Sequence, residues 1–302
     1  MTGLILHHYD ISAFSERVRL TMGLKRLRYH SVEIPRAMPK PDLVALTGGY
    51  RRTPVLQIGA DIYCDTAIIL PTIESLYPAP SLYPNGQGVV TALAWWADKA
   101  LFPPALSVIG NVNAGKIAPE FVAERKAFGF NLDVADIGPH FQHDCDQANA
   151  EVARLEAMLH DGRPFLLGDA PSAADFAVYC SIWLLQKLGG AAAGKLVRLD
   201  GIDAWSERVA AIGHGTPESL SSTGALAIAK SAEPLAPQVT GTTAGLQPGQ
   251  TVLVVPNDTG RDVVRGELIA ASAQTIVIRR TSAELGRLHL HFPRAGFAVS
   301  AA

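Results

Sequence analysis

Apolar and polar positions change rhythm along this chain, first mixing strand and helix patterns, then running helical, then breaking into short β-branched stretches. Gly3 to Tyr9 is an apolar run suited to a buried strand, and Glu16 to Leu27 spaces Val18, Leu20, Met22 and Leu24 among basic residues as a helix does. Tyr29 to Ile34 alternates as a second strand. Val55 to Ile58 and Ile62 to Cys64 flank Gly59-Ala60-Asp61, which predicts a hairpin with glycine early in its turn, and Ala67 to Tyr77 is helical up to Pro78. The predicted order is β-α-β followed by β-β-α.

Pro78, Pro80 and Pro84 with Gly86 and Gly88 rule out regular structure and mark a linker. Helical periodicity then covers Val89 to Phe102, Glu120 to Phe130, His140 to Leu159, Ala173 to Leu188 and Ile202 to Ile212, with Thr216 to Lys230 as a last helix. Pro234, Pro237, Thr240, Gly241, Thr242, Thr243 and Gly245 predict a flexible stretch. Beyond it, Thr251 to Val255, Val263 to Ala270, Thr275 to Arg279, Arg287 to Phe292 and Ala298 to Val299 read as short strands of a small antiparallel barrel or sandwich.

Composition narrows the function classes. The 302 residues are 48% hydrophobic and 18% charged, ample for more than one core, and the net charge of -2 leaves no electrostatic footprint for nucleic acid or an anionic membrane. Arg279, Arg280, Arg287, His289 and His291 form a modest basic cluster that a solvated strand face explains. With neither a leader pattern at the start nor a membrane-length apolar run, a cytoplasmic location is expected. Cys64, Cys145 and Cys180 have no paired spacing, which argues for reduced thiols and against a zinc cluster. The group His140, His143, Asp144 and Cys145 lacks a second set of ligands in sequence, so no metal is expected.

The stretch Arg52-Thr53-Pro54-Val55-Leu56, followed by Tyr63-Cys64-Asp65-Thr66, reads as a clamp for a thiol peptide. Proline cannot donate to a ladder, and a cis bond there would leave the backbone of Val55 to pair with an extended ligand. Asp65 and Thr66 open the apolar run Ala67-Ile68-Ile69-Leu70, where a helix N-terminus bearing a carboxylate and a hydroxyl can take the charged ends of a small zwitterionic peptide. The plainer alternative is that Asp65 only caps its helix.

With Ser12-Ala13-Phe14-Ser15-Glu16-Arg17 upstream and Ser172-Ala173-Ala174-Asp175 downstream, the chain resembles the glutathione transferases over residues 4 to 232. The resemblance implies a thioredoxin-like glutathione-binding domain over 1–80 and an all-helical domain over 89–232. It is silent on 240–302, expected to be a small β-barrel-like domain of unknown role. The fold class is therefore multidomain: α/β, all-α and small all-β. By the same resemblance Val55 pairs with the cysteinyl unit of glutathione, while Asp65 and Thr66 replace the family's Glu-Ser pair at the γ-glutamyl end. Arg52 takes a slot where the family often has lysine, and a guanidinium suits the glycyl carboxylate. Arg51 replaces a family glycine and reads as a solvated loop charge, with Arg36 and Lys40 ranked below it.

Ser12 stands where redox members of the family carry cysteine. A hydroxyl cannot exchange disulfides; it can donate a hydrogen bond to a thiolate, helped by the helix dipole, so the resemblance implies conjugation of glutathione to an electrophile. The competing role for Ser12 is that of a helix N-cap alone, and Tyr9 and Ser15 are alternatives for the activating hydroxyl. His7 and His8 alternate on one strand, so one of them faces the core, in a structural role. Ser172 and Asp175 form a capping box with a folding role. Trp95, Trp96, Phe102 and His140 are candidates for an acceptor pocket, although helical aromatics are usually core. The implied partners are glutathione, a small electrophile and a second copy of the chain. The competing functions are a decayed binding module that uses its β domain, and a thiol-disulfide reductase, for which Cys64 is the one cysteine near the clamp.

Overall fold

A computed structural model of the protein describes residues 3–237 and 245–302. Thr240, Gly241, Thr242 and Thr243 of the expected flexible stretch, and the expected domain boundaries at 1 and 240, lie outside the described residues. The chain forms two compact units: residues 1–10, 28–73 and 216–302 in the first, residues 11–27 and 74–215 in the second.

The first unit is built on a ten-stranded sheet. Its strands are β1 (Leu4–His8), β2 (Arg28–Glu33), β3 (Val55–Ile58), β4 (Asp61–Cys64), β5 (Thr216–Ser219), β6 (Thr251–Pro256), β7 (Val264–Ala271), β8 (Thr275–Ser282), β9 (Gly286–Pro293) and β10 (Phe297–Ala301), ordered β10-β6-β7-β8-β9-β4-β3-β1-β2-β5. Within it β1 runs parallel to β2 and antiparallel to β3, and the hairpin β3-β4 pairs Val55 with Cys64, which is the expected thioredoxin-like arrangement. A helix at Pro41–Thr47, not expected from the sequence, starts with proline at its first turn, where no N–H is needed, and buries Leu43 and Leu46.

The five C-terminal strands are antiparallel neighbours, and β10 returns to pair with β6. Rather than standing apart as a small barrel, they continue the thioredoxin-like sheet. β9 lies parallel to β4 with Asp61 opposite His289, Ile62 opposite Leu290 and Tyr63 opposite His291. The outer edge of β4 would otherwise present unpaired N–H and C=O groups, and β9 satisfies them. One apolar cluster spans both parts, from Ile5, Val55 and Ile62 to Val252, Leu268 and Phe292.

Two further expectations are corrected here. Thr216 to Lys230 is not one helix: Thr216–Ser219 pairs parallel with β2, and the helix begins at Ser222. Pro217 sits on an edge strand that is fully exposed, where proline is tolerated and no periodicity announces a strand. The basic cluster is a solvated face only in part: Arg287 is exposed, whereas His289 and His291 are buried against Asp61.

Both His7 and His8 are buried, not one of them, since β1 has all five residues enclosed. His7 Nε2 lies 2.9 Å from Gln57 Oε1, and burial, outweighing that bond, holds the His7 pKa down to about 4 from 6.5. The unfolded chain therefore takes up this proton first as pH falls. Stability is full above pH 6.5 and is lost between 6.5 and about 4, by about 3 kcal/mol for this group. Urea unfolding at pH 7 and pH 5 is expected to show this decline in the wild type and a shallower one in His7→Gln, which keeps a donor for Gln57. Equal slopes would refute the assignment.

The second unit is helical. Its helices include Ala13–Leu24, Gln87–Trp96, Phe102–Val112, Pro119–Phe128, Phe141–Leu159, Ala173–Leu184 and Asp203–Ala210. Phe102–Val112 extends past the expected end at Phe102 because Pro103 and Pro104 occupy its first turn, where proline starts a helix instead of breaking it. The capping box at Ser172 and Asp175 is formed. The Pro-rich segment after residue 77 is tethered: Glu74 accepts from Ser81 Oγ at 2.6 Å and from Leu82 N at 3.0 Å and pairs with Lys25.

Candidate functional site

The loop preceding β3 is shaped by its neighbours in sequence. The helix Pro41–Thr47 ends on Gly48 at φ 68°, a left-handed cap that glycine adopts without a Cβ penalty. Thr47 Oγ1 then bonds Tyr50 O at 2.6 Å, and the Tyr50 ring packs on Phe292 and Phe297 with centroids 5.9 and 6.3 Å away. Arg51, Arg52 and Thr53 follow, and the Thr53–Pro54 bond is cis. Lys40 braces this loop, donating to Thr53 Oγ1 at 3.1 Å and to Arg51 O at 3.4 Å, with its ammonium 5.5 Å from the Tyr9 ring centroid. Val55 is wholly buried at the start of β3, opposite His7 on one side and Cys64 on the other. It therefore belongs to a central strand.

Asp65 follows β4 at φ 96°, one of two described non-glycine residues with positive φ. Such a conformation is sparsely allowed and costs about 1–3 kcal/mol, so its neighbours must hold it. They do so through a helix start. Asp65 Oδ1 accepts from Ala67 N at 3.0 Å, and its carbonyl accepts from Ile68 and Ile69 at 3.1 and 3.0 Å. Thr66 is the first residue of the helix Thr66–Leu76. Arg52 Nη1 stands 3.7 Å from Asp65 Oδ2, so Arg52, Asp65 and the entry to β3 converge. Cys64, next to Asp65, is fully buried, and burial together with the Asp65 charge pushes its thiol well above the usual range. A thiol held protonated is a poor redox nucleophile.

Residues that sequence reasoning missed complete the arrangement. The β6-β7 connection reaches the arginines: Arg52 Nη2 lies 2.5 Å from Asp258 Oδ1 and also donates to Thr259 O, and Arg51 Nε lies 2.7 Å from Asp262 Oδ2. The Arg52 guanidinium lies 5.8 Å from the Phe297 ring centroid. Arg51, expected as a solvated charge, is thus an ion-pair partner. The turn Pro256-Asn257-Asp258-Thr259-Gly260 is visible in the sequence, but nothing local links it to residues some two hundred positions earlier.

In the second unit Ser12 caps the helix Ala13–Leu24, its Oγ accepting from Ser15 N at 3.1 Å. Capping uses a lone pair and leaves the O–H proton to donate elsewhere. Ser15 Oγ is buried without a hydrogen-bond partner. Arg17, from the same motif, chelates Asp98 through Nη1 at 3.2 Å and Nη2 at 2.5 Å. Of the acceptor-pocket candidates, Trp96 donates to Glu151 Oε2 at 2.7 Å and Phe102 packs on Phe14 and Phe130, whereas Trp95 is 62% exposed and His140 is exposed. Among the described residues no group of three or more His, Cys, Asp or Glu is placed to hold a metal, and no helix is long and apolar enough to cross a membrane.

Residues 6–81 match the glutathione S-transferase N-terminal domain and residues 139–208 the C-terminal domain. Over its full length the chain is 38% identical to a GST-like protein from Pseudomonas syringae, with 100% of each chain covered at a TM-score of 0.81. The chain belongs to the glutathione S-transferase family. Because that alignment covers both chains completely, it includes the C-terminal strands. Other members share the fold at lower identity. The β-etherase LigF from a Sphingobium species is 21% identical over 70% of this chain and 96% of that one, at a TM-score of 0.54. A glutathione transferase family member from Pseudomonas fluorescens, solved with two glutathione molecules bound, is 15% identical over 70% of this chain and 88% of that one, at a TM-score of 0.52. No curated protein matches the chain.

Proposed function

We propose that this chain binds reduced glutathione and presents its thiolate to a small electrophilic organic substrate, a detoxifying conjugation. The observation that carries the reading is the convergence of Asp65, strained at φ 96° and capping its helix, with Arg52 and the Thr53-Pro54-Val55 entry to β3. In this reading the Thr53-Pro54 bond that leads into β3 presents backbone to the cysteinyl unit, with Val55, paired on both sides within the sheet, anchoring it from behind; Asp65 and Thr66 take the γ-glutamyl end, and Arg52 lies toward the glycyl end. Ser12, whose cap leaves its proton to donate, stabilises the thiolate. The protonated, buried Cys64 speaks against disulfide exchange.

Calorimetric titration with glutathione tests the binding step: heat is expected from the wild type and is lost in Asp65→Ala. Ser12→Ala is expected to lower kcat/KM for a chromogenic electrophile by about tenfold to a hundredfold, the worth of one hydrogen bond to a charged sulfur, with glutathione binding retained. Unchanged turnover in Ser12→Ala would move the role to Tyr9 or Ser15.

A second reading, a binding module whose glutathione site has decayed, is favoured by the ion pairs that Arg51 and Arg52 make with Asp262 and Asp258. Absence of glutathione heat in the wild type would select it.

A further inference from the structure

The two guanidinium groups that precede the Thr53-Pro54 bond are already answered by carboxylates of the same chain. Asp258 lies 2.5 Å from Arg52 and Asp262 lies 2.7 Å from Arg51, while Asp65 stands 3.7 Å from Arg52 as a third negative charge. The loop that carries the two distal aspartates is anchored at its base, with Asn257 N donating to Gly296 O at 2.9 Å, and Phe297 lies against the Arg52 guanidinium. Resting on the reading of residues 53–66 as the glutathione grip, we propose that Asp258 and Asp262 are specificity-determining residues. They replace the carboxylate that a peptide ligand would supply, so the grip favours γ-glutamyl-cysteinyl thiols whose C-terminal end is uncharged.

Competition within one chain explains the effect. Asp258 and Asp262 meet the arginines without the entropy loss that a free ligand carries, and a ligand carboxylate must displace them at the expense of an existing pair. A displaced Asp258 would then face the incoming anion as a like charge beside Asp65. An ammonium is attracted by that same acidic set, and an uncharged amide or ester end is indifferent to it. Residue chemistry thus selects for one end of the peptide and against the free carboxylate of the other. The side chains of Asp258 and Asp262 are 44% and 34% exposed, so solvent moderates the discrimination without cancelling it.

The test is calorimetric titration of the full-length protein and of its D258N/D262N variant with reduced glutathione and with glutathione glycyl monoethyl ester. The wild type is expected to bind the ester at least as tightly as the acid. The variant, with its guanidinium groups released, is expected to bind the acid about tenfold more tightly than the wild type does, with the ester changed by less than about twofold. A wild-type preference for the acid of about tenfold would overturn the proposal without any variant, and so would a variant that leaves the acid-to-ester ratio unaltered. In both of those outcomes glutathione still binds and the functional reading stands. If neither thiol gives heat with either protein, the functional reading itself fails and this inference falls with it.

Discussion

Asp175→Ala is expected to remove about 3–5 kcal/mol of stability, the range for stripping a buried carboxylate from the donors it satisfies. The Asp175 carboxylate is fully enclosed and accepts from Leu166 N at 2.8 Å, Ser172 N at 2.9 Å, Ser172 Oγ at 2.8 Å and Trp205 Nε1 at 3.0 Å. Alanine leaves every one of those donors buried without a partner. The capping box accounts for the Ser172 bonds; those from Leu166 and Trp205 tie the helix Ala173–Leu184 to the preceding turn and to the helix Asp203–Ala210. Asp175→Asn, which offers one acceptor oxygen in place of two, should fall between. Urea unfolding followed by circular dichroism measures the difference, and an alanine variant within about 1 kcal/mol of wild type would contradict this account.

Asp61→Ala is expected to cost about 3–5 kcal/mol and to loosen the seam at which the C-terminal strands join the sheet. Asp61 Oδ1 lies 2.8 Å from His291 Nε2, Asp61 Oδ2 accepts from Leu235 N at 2.9 Å, and the residue is 2% exposed. Its carboxylate therefore bonds β9 and also the segment that follows the last helix. Only three Cα pairs join β4 to β9, from Asp61–His289 to Tyr63–His291, so few backbone bonds back up the side-chain one. The stacked rings of Tyr63 and His291, with centroids 4.4 Å apart, remain in the variant. Hydrogen exchange should show the amide of His289, which donates to Ala60 O at 3.0 Å, exchanging faster in Asp61→Ala than in wild type. Protection equal to wild type at that amide would show that the seam does not depend on Asp61.

These variants separate two ways in which one sequence holds its parts together. Asp175 acts within a local motif whose spacing is fixed by helix geometry, so Ser172-Ala173-Ala174-Asp175 announces it. Asp61 meets partners 174 and 230 residues away in sequence, and its own surroundings, a glycine turn before an alternating strand, suggest only a hairpin position. The same contrast holds at the candidate site. Pro54, Val55, Asp65 and Thr66 are recognisable because a proline entry and a helix start are local signals. The pairing of Arg51 with Asp262 and Arg52 with Asp258 depends on how β6 to β10 dock.

What the sequence determined by itself is the set of local choices: the β-α-β and hairpin order of the thioredoxin-like part, the capping box, Ser12 at a helix N-cap and the strands after residue 250. Each follows from side-chain period, proline and glycine punctuation or cap chemistry, which act over a few residues. Only the tertiary structure decided that those last strands extend the first sheet through β4, that Thr216–Ser219 is an added edge strand, and that the arginines of the clamp are matched by the chain's own carboxylates. The physical reason is that strand partnership and long-range ion pairing are set by which open edges and unmatched charges meet after folding, and no repeat or spacing along the chain encodes that meeting.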